Sequence, residues 1–256
     1  DIHPCFACRN SHHPDSCALA IPVKFLAIPC REDKPKGSLR RWLLAVCLVL
    51  SGGLALATLD PAALQRQLIA SFGPARVALL KDWLQIVNSA KAQGEQAKLT
   101  QINNFINRNI VFENDFGIWQ QTDYWATPLE TIGQGRGDCE DFAILKYVSL
   151  RQVGVPASRL RLIYVKARLQ TPVGPQVQAH MVLAYYATPN AEPLVLDNLN
   201  PAILPAGKRQ DLTPVFSFNS DGIYAGISGR DKAASGVGRL SRWEDAWRRI
   251  LADGYE

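Results

Sequence analysis

Three residues that follow one another in order, Cys139, His180 and Asp197, are of the types a nucleophilic hydrolase needs. Cys139 stands in the run Gly137-Asp138-Cys139-Glu140-Asp141, at the start of a segment with helical spacing. A thiol attacks as thiolate, and the unpaired N–H groups and dipole of a helix N-terminus favour that charge. His180 interrupts an apolar run over 177–186, and Asp197 interrupts another over 194–199. An imidazole within reach of the sulfur would take the thiol proton and later return it to the leaving group. A carboxylate on the other ring nitrogen would fix the tautomer. Singly, each residue has a plainer use, since a lone cysteine is usually a small buried hydrophobe and a lone histidine a satisfied core residue. Jointly, their helix-strand-strand order points to a Cys-His-Asp site.

Asp138, Glu140 and Asp141 crowd the cysteine, and negative charge there opposes a thiolate. A bound cation would offset them, and an all-oxygen carboxylate set suits Ca²⁺ better than zinc or copper. Acidic residues also favour the first turn of any helix. The residue types leave these two readings open.

The elements that must position these groups follow from periodicity. Apolar residues at Leu64, Leu68, Ile69 and Phe72, then at Val77, Leu80, Trp83, Leu84 and Val87, predict two helices broken at Gly73-Pro74. A third helix is expected from about Lys98, with Leu99, Ile102, Phe105 and Ile106 on one face. Residues 111–137 read as an irregular loop leading to Cys139. Trp119 and Trp125 within it are expected to pack into the core rather than form a partner groove. The helix opening at Cys139, with Asp138 or the residue before it as N-cap, ends at Gly154-Val155-Pro156. Residues 160–169, 178–186 and 193–199 predict three antiparallel strands in hairpin succession. The tail predicts a docked amphipathic helix with Trp243, Ala246, Trp247, Ile250 and Leu251 inward and Arg248 and Arg249 on the other side. The fold class is therefore α+β, with a helical N-terminal part and a nucleophile helix packed on an antiparallel sheet that carries the histidine and the aspartate.

The first 57 residues read differently. Arg40-Arg41, a short apolar run and Ala55-Leu56-Ala57 have the layout of a cleaved signal peptide over 38–57. The run is too short and glycine-interrupted for a comfortable membrane span, so the mature chain is not expected to insert in a membrane. Residues 1–37 carry Cys5, Cys8, Cys17 and Cys30 with three histidines, a spacing that suits a zinc knuckle. Their place upstream of a signal instead marks them as sequence preceding the true start. A protease domain is then expected over 58–256. Without residues 1–57 the formal balance falls from +5 to 21 basic against 19 acidic side chains, or +2, too small to imply a nucleic-acid partner. Cys139 becomes the only thiol and His180 the only imidazole, so no disulfide is available to the exported chain.

The segments Trp125-Ala-Thr-Pro128-Leu-Glu130-Thr-Ile-Gly-Gln-Gly135-Arg-Gly137-Asp-Cys-Glu-Asp141, Ala179-His180-Met-Val-Leu and Val195-Leu-Asp197-Asn carry a resemblance. Together they resemble the bacterial transglutaminase-like cysteine proteinases, of the periplasmic LapG type. The resemblance spans nearly all of the chain from about Leu59 and implies a papain-like or transglutaminase-like fold. It implies a calcium-dependent periplasmic endoprotease that cuts a large biofilm adhesin near its N-terminus and releases it from the cell. It also implies control by an inner-membrane cyclic-di-GMP receptor of LapD type. By motif position Cys139, His180 and Asp197 match the triad and Asp138 and Glu140 the calcium ligands, with Asp141 matched less firmly. The same triad could pass its acyl group to an amine, as a transglutaminase or amidase does. Retention of every triad position weighs against a binding module that has lost catalysis.

Overall fold

The first helix, α1 (Pro61–Phe72), starts where local chemistry tells it to: the Asp60 side chain accepts the Ala62 N–H and Pro61 occupies the first turn. It stops at Gly73, whose φ of 75° is open to glycine, before a single 3₁₀ turn over Pro74–Arg76 and α2 (Val77–Ala90). The expected break at Gly73-Pro74 is thus present. Leu64 and Leu68 of α1 meet Leu80, Trp83 and Val87 of α2 in the main core, whereas Ile69, expected inward, is largely exposed. The computed structural model describes residues 59–225 and 237–255; the expectations for 1–37 and 38–57 fall outside the described residues.

The third helix, α3 (Glu95–Asn109), begins three residues before Lys98, capped by Gly94. The stretch 111–137 is more ordered than the sequence reading held. It contains β1 (Val111–Phe112), α4 (Asp115–Trp119), α5 (Pro128–Gln134) and β2 (Arg136–Gly137), with β1 and β2 paired in parallel. The reason for α5 is a reciprocal cap: Thr127 Oγ1 accepts the Glu130 N–H, and Glu130 accepts the Thr127 N–H. Trp125 is buried and stacks on Phe218, and Trp119 tilts against Tyr124.

The central helix, α6 (Cys139–Gln152), is buried along most of its length and packs on a six-stranded antiparallel sheet. The strands are β3 (Leu160–Thr171), β4 (Gly174–Tyr185), β5 (Leu194–Leu196), β6 (Leu204–Pro205), β7 (Leu212–Asn219) and β8 (Gly222–Ala225). Their order is β6-β5-β4-β3-β7-β8, so the three expected strands form a meander and three more extend it at both edges. Leu160, Leu162, Met181, Leu183 and Leu196 join the core beneath α6, while Ile163, Val165, Val182, Ala184 and Val195 form a second apolar cluster.

The last helix, α7 (Val237–Ala252), docks through Trp243, Ala246 and Ile250, with Trp243 against Phe218 and Tyr147. Two details of its expected face are corrected. Leu251 is 48% exposed. Arg249 is not a solvent-side residue: Nη1 donates to Glu130 and to the Tyr124 hydroxyl, and Nη2 to the Trp125 carbonyl. Glu130, half-buried like Arg249 itself, supplies the negative charge that draws the guanidinium inward.

Candidate functional site

The cysteine sits at the first position of α6 because Asp138 caps that helix. Asp138 Oδ1 accepts the Glu140 N–H at 3.1 Å, and Asp141 Oδ2 accepts the Asp138 N–H at 3.2 Å. Asp141 also takes the Ala126 N–H at 2.8 Å through its other oxygen, tying the approach to α5 onto the start of α6. Gly137 permits this closeness: a Cβ there would lie 2.7 Å from the Asp141 Cβ. Cys139 is half-buried, and its thiol donates to Glu140 Oε2 at 2.7 Å. Burial, then the charges of Glu140 and Asp138, push this thiol well above its ordinary range, against a contrary pull from the Met181 amide.

His180 lies in β4 beside Met181, and Asp197 directly follows β5. Both are buried, and His180 Nε2 meets Asp197 Oδ1 at 2.7 Å. A carboxylate there keeps the proton on Nε2 and leaves Nδ1 as the basic nitrogen. Among the described contacts the thiol bonds Glu140 and not His180, although the Met181 amide on the sulfur places the two in adjoining positions.

Asp197 is held from several directions that the sequence reading did not identify. Arg209 Nη2 donates to Oδ2 at 2.6 Å, the Leu199 N–H to Oδ1 at 3.0 Å, and Asn107 of α3 to the Asp197 carbonyl at 2.8 Å. Burial alone would raise this carboxyl, but His180 first, then Arg209 and the Leu199 amide, hold it at about 2. Asn103 and Asn107 left a legible trace, two amides four residues apart amid the apolar positions of α3; Asn103 binds the Pro201 carbonyl. Arg209 left none. Lys146, two turns below Cys139 on α6, is buried with its ammonium 5.9 Å from the Phe142 ring. Burial pushes it down to about 7 against the charge of Asp197.

The acids form a cluster larger than expected. Asp115, at the first position of α4, joins Asp138 and Asp141 with one oxygen of each within 4.8 Å of the others, and Asp138, Cys139 and Glu140 form a second such group. Asp115 Oδ2 accepts the Tyr124 N–H, whereas Oδ1 is buried with no hydrogen-bond partner. Burial foremost raises Asp115 to about 6, and burial followed by the charges of Glu140 and Asp141 raises Asp138 to about 10. Asp141 is also pushed far up, again by burial first. Two like charges 4.8 Å apart repel by about 3.5 kcal/mol at an effective dielectric of about 20. Such a cluster needs protons or a cation, and an orphaned carboxylate oxygen among all-oxygen donors fits a hard cation of the Ca²⁺ type. Asp115, Asp138 and Asp141 form the all-oxygen group with positions to hold it, and Glu140 joins Asp138 in the group that includes the Cys139 sulfur.

Known proteins resemble this chain in sequence and in fold. Residues 83–210 match the family described as bacterial transglutaminase-like cysteine proteinase BTLCP. Among solved structures, Legionella pneumophila LapG is 35% identical over 76% of this chain and 99% of its own, with a TM-score of 0.60. Its EGTA-treated form gives 34% identity, the same coverages and a TM-score of 0.63. The calcium-bound form gives 35% identity over 75% of this chain and 99% of its own, with a TM-score of 0.61. No curated protein sequence matches the chain.

Proposed function

The chain belongs to the bacterial transglutaminase-like cysteine proteinases, and from that premise we propose that it is a calcium-dependent periplasmic endopeptidase cutting the N-terminal region of a large surface adhesin. Release of the adhesin would disperse a biofilm, and a cyclic-di-GMP receptor of LapD type at the inner membrane would sequester the enzyme. That it is a cysteine protease follows from the family and from its LapG neighbours. Its calcium dependence is supported by one observation, that the nucleophile helix opens on a cluster of carboxylates with an orphaned oxygen beside a buried His-Asp pair; the adhesin and the receptor are what the family resemblance implies.

In this reading Cys139 is the nucleophile. Its proton passes to His180 Nδ1, since Nε2 is engaged by Asp197. The sulfur adds to the scissile carbonyl, and the Cys139 N–H, ahead of the amides that Asp138 caps, would donate to the developing oxyanion. His180 then protonates the departing amine, and water attacks the thioester with the same imidazole as base. Asp138 and Glu140, joined by Asp115, would hold calcium. When bound, the ion supplies positive charge that offsets the carboxylates opposing a thiolate. An export signal over 38–57, with 1–37 upstream of the true start, would deliver the domain to the periplasm; the mass of the native N-terminus checks this.

The deciding experiment incubates the protein with an adhesin N-terminal fragment, with and without a chelator. Cleavage at one site that the chelator abolishes is expected. Incorporation of a labelled amine without peptide-bond cleavage would replace this reading with a transglutaminase, and cleavage indifferent to the chelator would remove calcium from it.

A further inference from the structure

A carboxylate has two oxygens that a half-turn about one bond exchanges, so a catalytic aspartate needs something to decide which of them faces the histidine. In this protein Oδ1 of Asp197 accepts from His180 and from the Leu199 amide, while Oδ2 is taken by Arg209 Nη2 at 2.6 Å. Arg209 is itself held by a fork: Nε and Nη2 donate to Oδ1 and Oδ2 of Asp211 at 2.9 and 2.7 Å. Its side chain is 3% exposed, and it lines an apolar cavity of about 420 Å³ with Val165, Val182, Val195 and Leu212. The Asp197 side chain is fully buried as well, so solvent screens their interaction little.

We propose that Arg209 is a positioning residue for the reaction above: it claims one oxygen of Asp197, leaves the other to His180, and so keeps the imidazole in the tautomer whose Nδ1 is free. Asp211 keeps the guanidinium at its post. Lys146 also places charge near Asp197, from α6, but makes no hydrogen bond to it among the described contacts. The role calls for a planar fork spanning two carboxylates, which an ammonium can imitate only in part. Without Arg209 a buried acceptor lacks a partner, and the carboxylate turns to find one. The inference rests on the cysteine-protease reading, but its first readout needs no substrate.

That readout is ¹⁵N NMR of the imidazole in the full chain carrying Cys139→Ser, with His180 assigned by the signal lost in His180→Gln. The parent is expected to hold the Nε2–H tautomer, Arg209→Met to mix it with Nδ1–H, and Arg209→Lys to keep most of it. With Cys139 restored, Arg209→Met is expected to lower kcat by about 10- to 100-fold with KM changed less than about twofold. Arg209→Lys recovers most of that loss. Asp211→Asn, at a side chain 41% exposed and so able to fold, gives a smaller mixing and a smaller loss of kcat in the same direction. A purely structural arginine would lower thermal stability without altering the tautomer in the folded protein. A folded Arg209→Met with one tautomer and full kcat overturns the proposal. Should Arg209→Met not fold, an unchanged tautomer in Asp211→Asn does so instead. If the tautomers mix as expected while even the parent cleaves no peptide, the proteolysis reading falls and the role of Arg209 stands.

Discussion

Calcium should enter this protein by displacing protons, and their number can be worked from the acid cluster. With Asp138 raised to about 10, its carboxyl is protonated at pH 7 in the ion-free protein, while Asp115, at about 6, is about nine-tenths ionised. Calcium ligands must be ionised, so binding at pH 7 releases at least one proton, and at pH 6, where Asp115 is half protonated, about half a proton more. Affinity therefore falls about tenfold or more from pH 7 to pH 6. The stability effect has a fixed sign. Asp115 has a folded pKa above its unfolded value, so its ionisation costs the ion-free fold stability as pH rises from about 4 to about 6, a cost the bound ion removes. At free calcium about 100 times Kd the fold gains about 2.7 kcal/mol, or roughly 5–10 °C in Tm for a domain of this size. Titration calorimetry in two buffers of different protonation enthalpy counts the protons, and thermal unfolding with and without chelator reads the stability. Equal heats in both buffers, or a Tm indifferent to calcium, would refute the reasoning and return the acids to the role of a helix cap.

Three further outcomes are expected. Cys139→Ala abolishes cleavage and leaves the far-UV spectrum unchanged; full cleavage by that variant would end the mechanism. Asp197 has a folded pKa near 2, below its unfolded value, so its ionised form stabilises the fold above about pH 4. That contribution, on the order of 2 kcal/mol, is lost between about pH 4 and pH 2; acid unfolding of Asp197→Asn should lack this part of the slope. Gly137→Ala places a Cβ 2.7 Å from that of Asp141, and overpacking of this kind costs about 1–3 kcal/mol. A lower Tm and weaker calcium binding follow in that variant, and a wild-type Tm would show that the close approach relaxes freely.

Much of the scaffold was legible because its causes are local. Asp138 or the residue before it was expected as the cap of the nucleophile helix, and the cap is Asp138, because a side-chain oxygen and the next amides lie within one turn of chain. Gly73-Pro74 ends one helix and opens the next for the same kind of reason. The strands β3, β4 and β5 showed themselves through apolar runs between turn residues. Helix α5 also had its signal, Thr127-Pro128-Leu129-Glu130, a capping pattern with proline in the first turn, but the polar and glycine-rich sequence around it read as loop. Strand β7 was hidden differently. Pro214 lies within it, where the pairing with β3 shifts register between Tyr164 and Val165, and a proline argues against a strand until the irregularity that accommodates it is seen.

The sequence by itself determined the order Cys139, His180, Asp197, the cap that puts the cysteine at a helix start, and the acids on either side of it. Only the tertiary structure decided what those residues meet. Asp115 comes to Asp138 from 23 positions away because β1 pairs with β2 and brings α4 alongside the start of α6. Arg209 reaches Asp197, and Asn107 its carbonyl, across separate elements. Periodicity and capping are written in neighbours along the chain; a partner for a buried charge is set by which elements pack together, and no spacing in the sequence records it.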